Sequence, residues 1–451
     1  MYAGWVPLED EPIAAERASI TAEKMWDIYI SKRRPVLFDG LLDDPAWHGD
    51  RWTDTLYLER HAGDAVVRVE PIHPEQECFG TATPRTTINF KAYLDVLKEE
   101  ECAGRYYLTT QYESEDAAEE VDEDCGPVLE TVLPSPTHAL KNDFPLQPRI
   151  VGNLALQQCN LWLGNGREER SSGLHHDFHD NLYVLLEGRK RFVLFPPSAH
   201  PFLHIRGDIA RVHKNGLLVY DDADRIRADG LHVLDAAHWR LAACARALHA
   251  NPKKRARLEG ECDYQAAKDA YHALRRRYED ESEDELSNTE DSSDSSEHGS
   301  PLASGSSDSS EHEFPTTDDA LALDEHNGEK VLDALDATLN EPSSFSLIKP
   351  HVLHHHFSIP SSSAPSPKDI TPLPNCPRPL VVELKAGQML YLPASWFHEV
   401  TSAATDKDRH MAFNYWMHPP DGDSFAQPYK DAKVWDEVRT KVAEAAMYTG
   451  R

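Results

Sequence analysis

A chain of 451 residues with 40% apolar side chains is long enough to bury the core of at least one large domain. Its formal charge of −31 argues against general affinity for nucleic acid or anionic membrane, while leaving a basic protein partner open. The seven cysteines, at 78, 102, 125, 159, 244, 262 and 376, never form a C-x-x-C pair, so neither a zinc knuckle nor a redox motif is suggested; an odd, scattered set fits a reducing compartment.

The opening segment Met1–Asp10 is acidic and lacks the apolar stretch of a secretory signal, and no run of about 18 apolar residues suits a membrane span. Residues 10–35 read as helical, with Thr21 before Ala22-Glu23-Lys24 as a capped start. Residues 34–40 read as a short buried strand ending in a turn, 65–70 and 106–110 as two further strands, and 90–100 as a helix between them. Strands are predicted at 159–164, 174–178, 181–186 and 190–195, a spacing that suggests a sandwich or barrel. Ala-rich 230–250 and then 263–278 read as helices. From 279 to about 328 the sequence is Ser, Asp and Glu, with thirteen acidic residues and no Lys or Arg between Glu279 and Glu313; disorder is expected there, because so little apolar surface cannot offset conformational entropy. Within it, Ser293–His298 recurs as Ser307–His312.

A short helix at 329–340 and a Pro/Ser-rich loop at 359–378 precede strands at 380–384, 389–392, 397–401 and 410–416. His354-His355-His356 reads as a solvated part of the Pro/Ser-rich connection. The tail, 430–447, is helical, with Val434, Trp435, Val438 and Val442 on one stripe. A β fold interrupted by a long insertion is the expected architecture.

Two distant segments carry the chemistry. In a strand, residues i and i+2 share a face, so His175 and Asp177 point the same way and can chelate one ion. Pairing His176 with Phe178 instead gives no second ligand, and His179 is an outer or surface residue. A third ligand is His398, after the turn and apolar strand Gly387–Pro393, with Trp396 as a wall beside it. Two imidazoles and one carboxylate suit a non-haem Fe(II) that keeps positions open. Alone, H-x-D is a weak signal in a sequence with 24 histidines.

The company of these motifs is specific. In LHHDFHDNLYVLLEGRKRFVLFPP, from Leu174 to Pro197, H-x-D is followed by Asn181, by Gly188-Arg189-Lys190 and by an apolar strand closing in Pro-Pro. With Arg34-Pro35-Val36, Trp47, Trp52, Tyr107-Leu108 and Gly387–His398, the sequence resembles the JmjC family of Fe(II)- and 2-oxoglutarate-dependent oxygenases over roughly 30–225 and 341–420. The likeness is greatest to its small hydroxylase branch, which includes the asparaginyl hydroxylase that inhibits hypoxia-inducible factor.

The resemblance implies a mainly β fold with helical additions, a double-stranded β-helix (jelly-roll, cupin). It would be laid out as an N-terminal α/β region (1–150), a first barrel half (151–224), an insertion made of a helical hairpin and the acidic tract (225–340), a second half (341–420) and a C-terminal helix (421–451). It implies iron held by His175, Asp177 and His398, and 2-oxoglutarate and O2 as co-substrates. Lys190, Ser172 and Tyr107 (or Tyr106) would meet the distal carboxylate of 2-oxoglutarate. Asn181 and Asn414 match two pocket amides, which equally suit a role tying strands together. Arg189 and Arg191 read as surface charge, Trp162 and Phe192 as core.

The expected activity is protein hydroxylation with release of succinate and CO2. Lysine N-demethylation uses the same chemistry and is the alternative; the Lys190 spacing and the lack of a paired-cysteine zinc cluster favour hydroxylation. A non-enzymatic binding module would be expected to have lost a ligand, and no Ser/His/Asp or Cys/His arrangement supports a peptidase. A protein substrate is expected, with a basic one suited to the charge. The run Lys253, Lys254, Arg255, Arg257 reads either as a nuclear localisation signal, which gives a nuclear or nucleo-cytoplasmic expectation, or as a solvated turn. Ser282 and Ser310, each with Glu three residues on, form a weak kinase motif, and the 430–447 helix either pairs with a second copy in a homodimer or packs on its own barrel.

Overall fold

A computed structural model describes residues 1–9, 11–73, 79, 83–110, 129–166, 168–220, 224–250, 254–290, 342–361, 373–405 and 409–447. The strands in order are β1 (Ala14–Arg17), β2 (Val36–Asp39), β3 (Val66–Pro71), β4 (Thr86–Asn89), β5 (Tyr106–Thr109), β6 (Leu156–Asn165), β7 (Arg170–His176), β8 (Asp180–Glu187) and β9 (Arg189–Phe195). They continue as β10 (Arg211–Val212), β11 (Leu218–Val219), β12 (Leu380–Lys385), β13 (Gln388–Leu392), β14 (Phe397–Ala403) and β15 (Arg409–Met417).

β6 to β9 and β12 to β15 alternate between two sheets, while β10 and β11 form a separate two-stranded ribbon. The larger runs β1-β2-β13-β8-β15-β6-β5-β3-β4 and the smaller β12-β9-β14-β7. Every pairing in both is antiparallel except β1 with β2. This is the jelly-roll that the resemblance implies, and it fits the sandwich or barrel suggested by the strand spacing. Its interior is filled by Leu185, Phe192, Leu194, Leu380, Val382, Leu384, Leu390, Trp396 and Ala412. β12 shows the strict inward–outward alternation of a half-buried strand, whereas all eight residues of β8 are buried.

Gly188 joins β8 to β9 at φ +81°, where a Cβ would stand 2.5 Å from His410 Cβ and 2.8 Å from the Ala403 carbonyl oxygen. That tight turn carries the polypeptide from β8 of the larger sheet, which bears Asn181, to β9 of the smaller sheet, which bears Lys190.

The N-terminal reading is corrected in part. Residues 14–17 are not helical but form β1, in parallel register with β2. Tertiary pairing at an open sheet edge overrides helix propensity here. The helix is only Ala22–Met25, capped by the Thr21 side chain, and it widens into a π-turn over Trp26–Ile30. The region is bolted to the barrel by a buried pair: Arg33 Nη1 and Nη2 donate to Asp180 at 2.8 and 2.5 Å.

The C-terminal helix, Ala432–Met447, turns its apolar stripe inward. Val434 and Trp435 are fully buried within the protein, and the Trp435 indole donates to Asp229 over 3.0 Å. The stripe packs against the protein's own core, one of the two roles the sequence allowed it.

The described residues from His232 to Glu290 form a second compact unit. Its helices Val233–Ala250 and Lys254–Glu290 meet through ring contacts such as His238 with Tyr271, 5.7 Å apart. The second helix runs through 279–290, where disorder was expected, because the strong helix formers Glu and Leu carry on the preceding turns. Lys254, Arg255 and Arg257 stand in its first turn. Lys253, the Ser-rich repeat, Ser310, the 329–340 helix, Cys78 and Cys125 lie outside the described residues. Among the described residues no helix is long and apolar enough to cross a membrane.

Candidate metal centre

β14 lies against β7 with His398 directly opposite His175. This register closes a gap of more than two hundred residues in sequence. One ligand atom from each of His175, Asp177 and His398 lies within 4.8 Å of the others, and His398 Nε2 is 3.6 Å from Asp177 Oδ2. Each ring is held from behind. His175 Nδ1–H donates to the Gly173 carbonyl over 3.0 Å, and His398 Nδ1–H to the Trp396 carbonyl over 2.9 Å. A carbonyl can only accept, so both Nε2 lone pairs point at the shared centre. Burial lowers the His175 pKa to about 4, with nearby His398 adding to the effect, so the ring is neutral.

Two further contacts fix the loop that delivers His398. Ser395 N–H donates to the Asp177 carbonyl at 2.8 Å, and Ala394 N–H to Asp180 Oδ1 at 2.9 Å. Trp396 is buried and stacked on Trp5, the wall that the sequence suggested. Phe345, returning from the insertion, stacks on the His175 ring at 4.7 Å.

His176 faces away from the centre. Its Nδ1–H is oriented to the Asp177 carbonyl, and its Nε2 accepts from the Tyr220 hydroxyl at 2.6 Å. His179 stacks on Trp416 and lies outside the three-residue cluster.

The adjoining pocket is lined by Tyr107, Ser172, Asn181 and Lys190 as well as the three candidate ligands. Tyr106 is not in its lining, so the structure separates the two tyrosines. At the inner end, Lys190 is 1% exposed and donates to the Tyr107 hydroxyl at 3.0 Å and to Ser402 Oγ at 2.5 Å. Burial pulls its pKa down to about 7, and no carboxylate is paired with it among the described residues. Ser172 Oγ is turned to its own sheet, accepting from Val400 N–H at 3.1 Å. Asn414 is fully buried behind the pocket, donating to Asn181 Oδ1 at 3.0 Å and accepting from Trp162.

Ser402 and His410 also line this pocket and were missed from sequence. Ser402 could have been found: it lies four residues beyond His398 on one strand and so on the same face. His410 offered a similar signal, four residues before Asn414 on one strand, although β15 bulges against β8 between them.

Two sequence readings fail. Arg191 is not surface charge: it is 6% exposed and bonds Thr401 and Glu169 on the outer face of the smaller sheet. Arg189 does remain at the surface. The three histidines 354–356 end the helix Pro350–His356 instead of lying in a loop; His355 and His356 are exposed as expected, but the first is not. His354 is 4% exposed, with Nε2 3.1 Å from Glu399 Oε2. Partners so remote in sequence are not legible locally.

The donor set fits iron: three ligands gathered on one side, imidazoles oriented by carbonyls, and room left for exogenous ligands. The pocket fits a dicarboxylate, because a buried ammonium with only hydroxyl partners calls for an anion.

Comparison with known proteins agrees. The model of the Cupin-like domain matches residues 22–423. JmjC domain-containing protein 4 of Schizosaccharomyces pombe is 35% identical over 98% of this protein and 93% of its own length. Shorter matches are lysine-specific demethylase JMJ31 of Arabidopsis thaliana, 44% identical over 13% of this protein and 10% of that one, and the human bifunctional peptidase and (3S)-lysyl hydroxylase JMJD7, 33% identical over 17% and 23%. The chain therefore belongs to the JmjC group of Cupin-like proteins, a family of Fe(II)- and 2-oxoglutarate-dependent oxygenases in general that includes hydroxylases and demethylases.

Proposed function

We propose that this protein is a protein hydroxylase that oxidises a C–H bond on a residue of a protein substrate, consuming 2-oxoglutarate and O2 and releasing succinate and CO2. The observation that carries this reading is the pairing of an intact three-ligand cluster with the buried, anion-seeking Lys190 in one pocket. Iron bound by His175, Asp177 and His398 supplies the oxidising chemistry. The protein's own residues do the rest. The Gly173 and Trp396 carbonyls aim the imidazoles, Lys190 with Tyr107 and Ser402 receives the distal carboxylate, and the apolar walls Phe79, Phe192 and Val400 exclude water.

Demethylation is the second reading, favoured by the match to a lysine-specific demethylase. Incubation with candidate peptides separates the two: hydroxylation adds one oxygen to the peptide, and demethylation releases formaldehyde. Formaldehyde with no oxygenated peptide would overturn the hydroxylase assignment. The net charge of −31 supports a basic substrate segment, and the 253–257 run supports a nuclear or nucleo-cytoplasmic setting.

A further inference from the structure

Three side chains inside the barrel form a hydrogen-bonded relay with only one possible direction. The Trp162 indole N–H can donate but not accept, and it lies 2.6 Å from Asn414, so the atom it meets is Oδ1. That fixes the Asn414 amide. Its Nδ2 then donates to Asn181 over 3.0 Å, and the atom receiving it is again Oδ1. With its carbonyl turned to Asn414, Asn181 directs its NH2 away from that partner, and Asn181 lines the pocket that holds His175, Asp177 and His398.

The register explains the relay. Trp162 is paired with Ala412, and Trp416 with Asn181; Asn414 lies between them on the same inward face of β15. Each step is thus a diagonal contact between adjacent strands. Ala412 is small and lets the indole lie across it. A reversed Asn414 amide would set two donors against each other at Trp162 and two acceptors at Asn181, in a site where Asn414 is fully buried.

We propose that Trp162 is a positioning residue that sets the polarity of this two-amide relay, so that Asn181 presents a donor, not an acceptor, to an anionic oxygen of a ligand held beside the metal-binding residues. The inference rests on the function proposed above, which supplies that ligand as the oxo-acid end of 2-oxoglutarate.

The test is calorimetric titration of 2-oxoglutarate into the full-length protein with Mn(II), a binding measurement that requires no turnover. Trp162→Phe removes the N–H and keeps an aromatic ring; it is expected to weaken binding about fivefold to tenfold, as for loss of one hydrogen bond that orients a charged contact. Asn414→Asp still accepts from Trp162 but cannot donate, so Asn181 must turn its NH2 toward Asp and its carbonyl toward the ligand; the loss should be at least as large. In an Asn181→Ala background, Trp162→Phe should cost nothing further, because its effect passes through Asn181. Unchanged binding in Trp162→Phe, or an equal loss in both backgrounds, would overturn the relay and leave Trp162 as packing. If Trp162→Phe lowers the thermal midpoint so far that it cannot be titrated, Asn414→Asp reads the same link, and wild-type affinity in it would overturn the proposal. A wild-type protein that binds no 2-oxoglutarate would instead overturn the function on which the relay rests.

Discussion

Lys190 and Tyr107 meet at 3.0 Å, ammonium to hydroxyl, at the closed end of a pocket whose other end holds the three candidate metal ligands. The two come from different sheets: Lys190 from β9, and Tyr107 from β5, which belongs to the N-terminal region rather than the barrel proper. That region therefore completes the pocket as well as covering the barrel.

Lys190→Met is expected to weaken 2-oxoglutarate binding about a hundredfold while leaving Mn(II) binding intact, since a charge-assisted contact is lost and the metal ligands are untouched. Lys190→Arg should not restore it, because a planar fork does not fit a buried site shaped around a point charge. Calorimetry on both variants checks this.

The same side chain sets a pH dependence. Burial lowers its pKa to about 7 in the free protein. Below that value the ammonium is present and the dicarboxylate binds without proton uptake. Above it, binding must take up a proton, so affinity should fall about tenfold per pH unit from 7 upward. Titrations between pH 6.5 and 9, values chosen to bracket about 7, test the slope; a flat profile would mean that the ammonium is not the carboxylate partner.

Asp180 accepts from Arg33, from the Tyr391 hydroxyl at 2.6 Å and from Ala394 N–H, and both members of the ion pair are almost wholly buried. Asp180→Asn strands the Arg33 charge in the core. A loss of about 3–5 kcal/mol is expected, seen as a lower denaturant midpoint. Because Asp180 also holds the turn leading to His398, metal affinity should fall in the fraction that remains folded.

His354 is the partner of Glu399, which is 0% exposed and also accepts from Ser171 and Thr401. Burial alone would raise the Glu399 pKa, but the His354 contact, with the two hydroxyls, brings it net below the usual value. His354→Ala should cost about 1–3 kcal/mol by removing one of the three side-chain partners of that buried carboxylate. Equilibrium unfolding checks this, and stability equal to wild type would show that His354 carries no such role.

The legible parts of the fold were those governed by local rules. The pairing of His175 with Asp177 could be read from the two-residue period of a strand, although β7 stops at His176; β12 could be read from alternation, β13 and β15 from apolar runs, and the 432–447 helix from its stripe. What stayed hidden depends on register between distant segments. Ser402 reaches Lys190, His354 reaches Glu399, and β1 pairs with β2 only once the sheets are assembled. Arg191 misled because alternation placed it correctly on the outer face, but gave no sign that Glu169 and Thr401 cover that face.

The measurement closest to the central claim is succinate formation from 2-oxoglutarate by the purified full-length protein with Fe(II), beside Asp177→Ala and Lys190→Ala. Iron-dependent succinate in the wild type, lost in both variants, is the predicted result. Succinate that persists in both variants, or none in the wild type together with no 2-oxoglutarate binding under Mn(II), would contradict it.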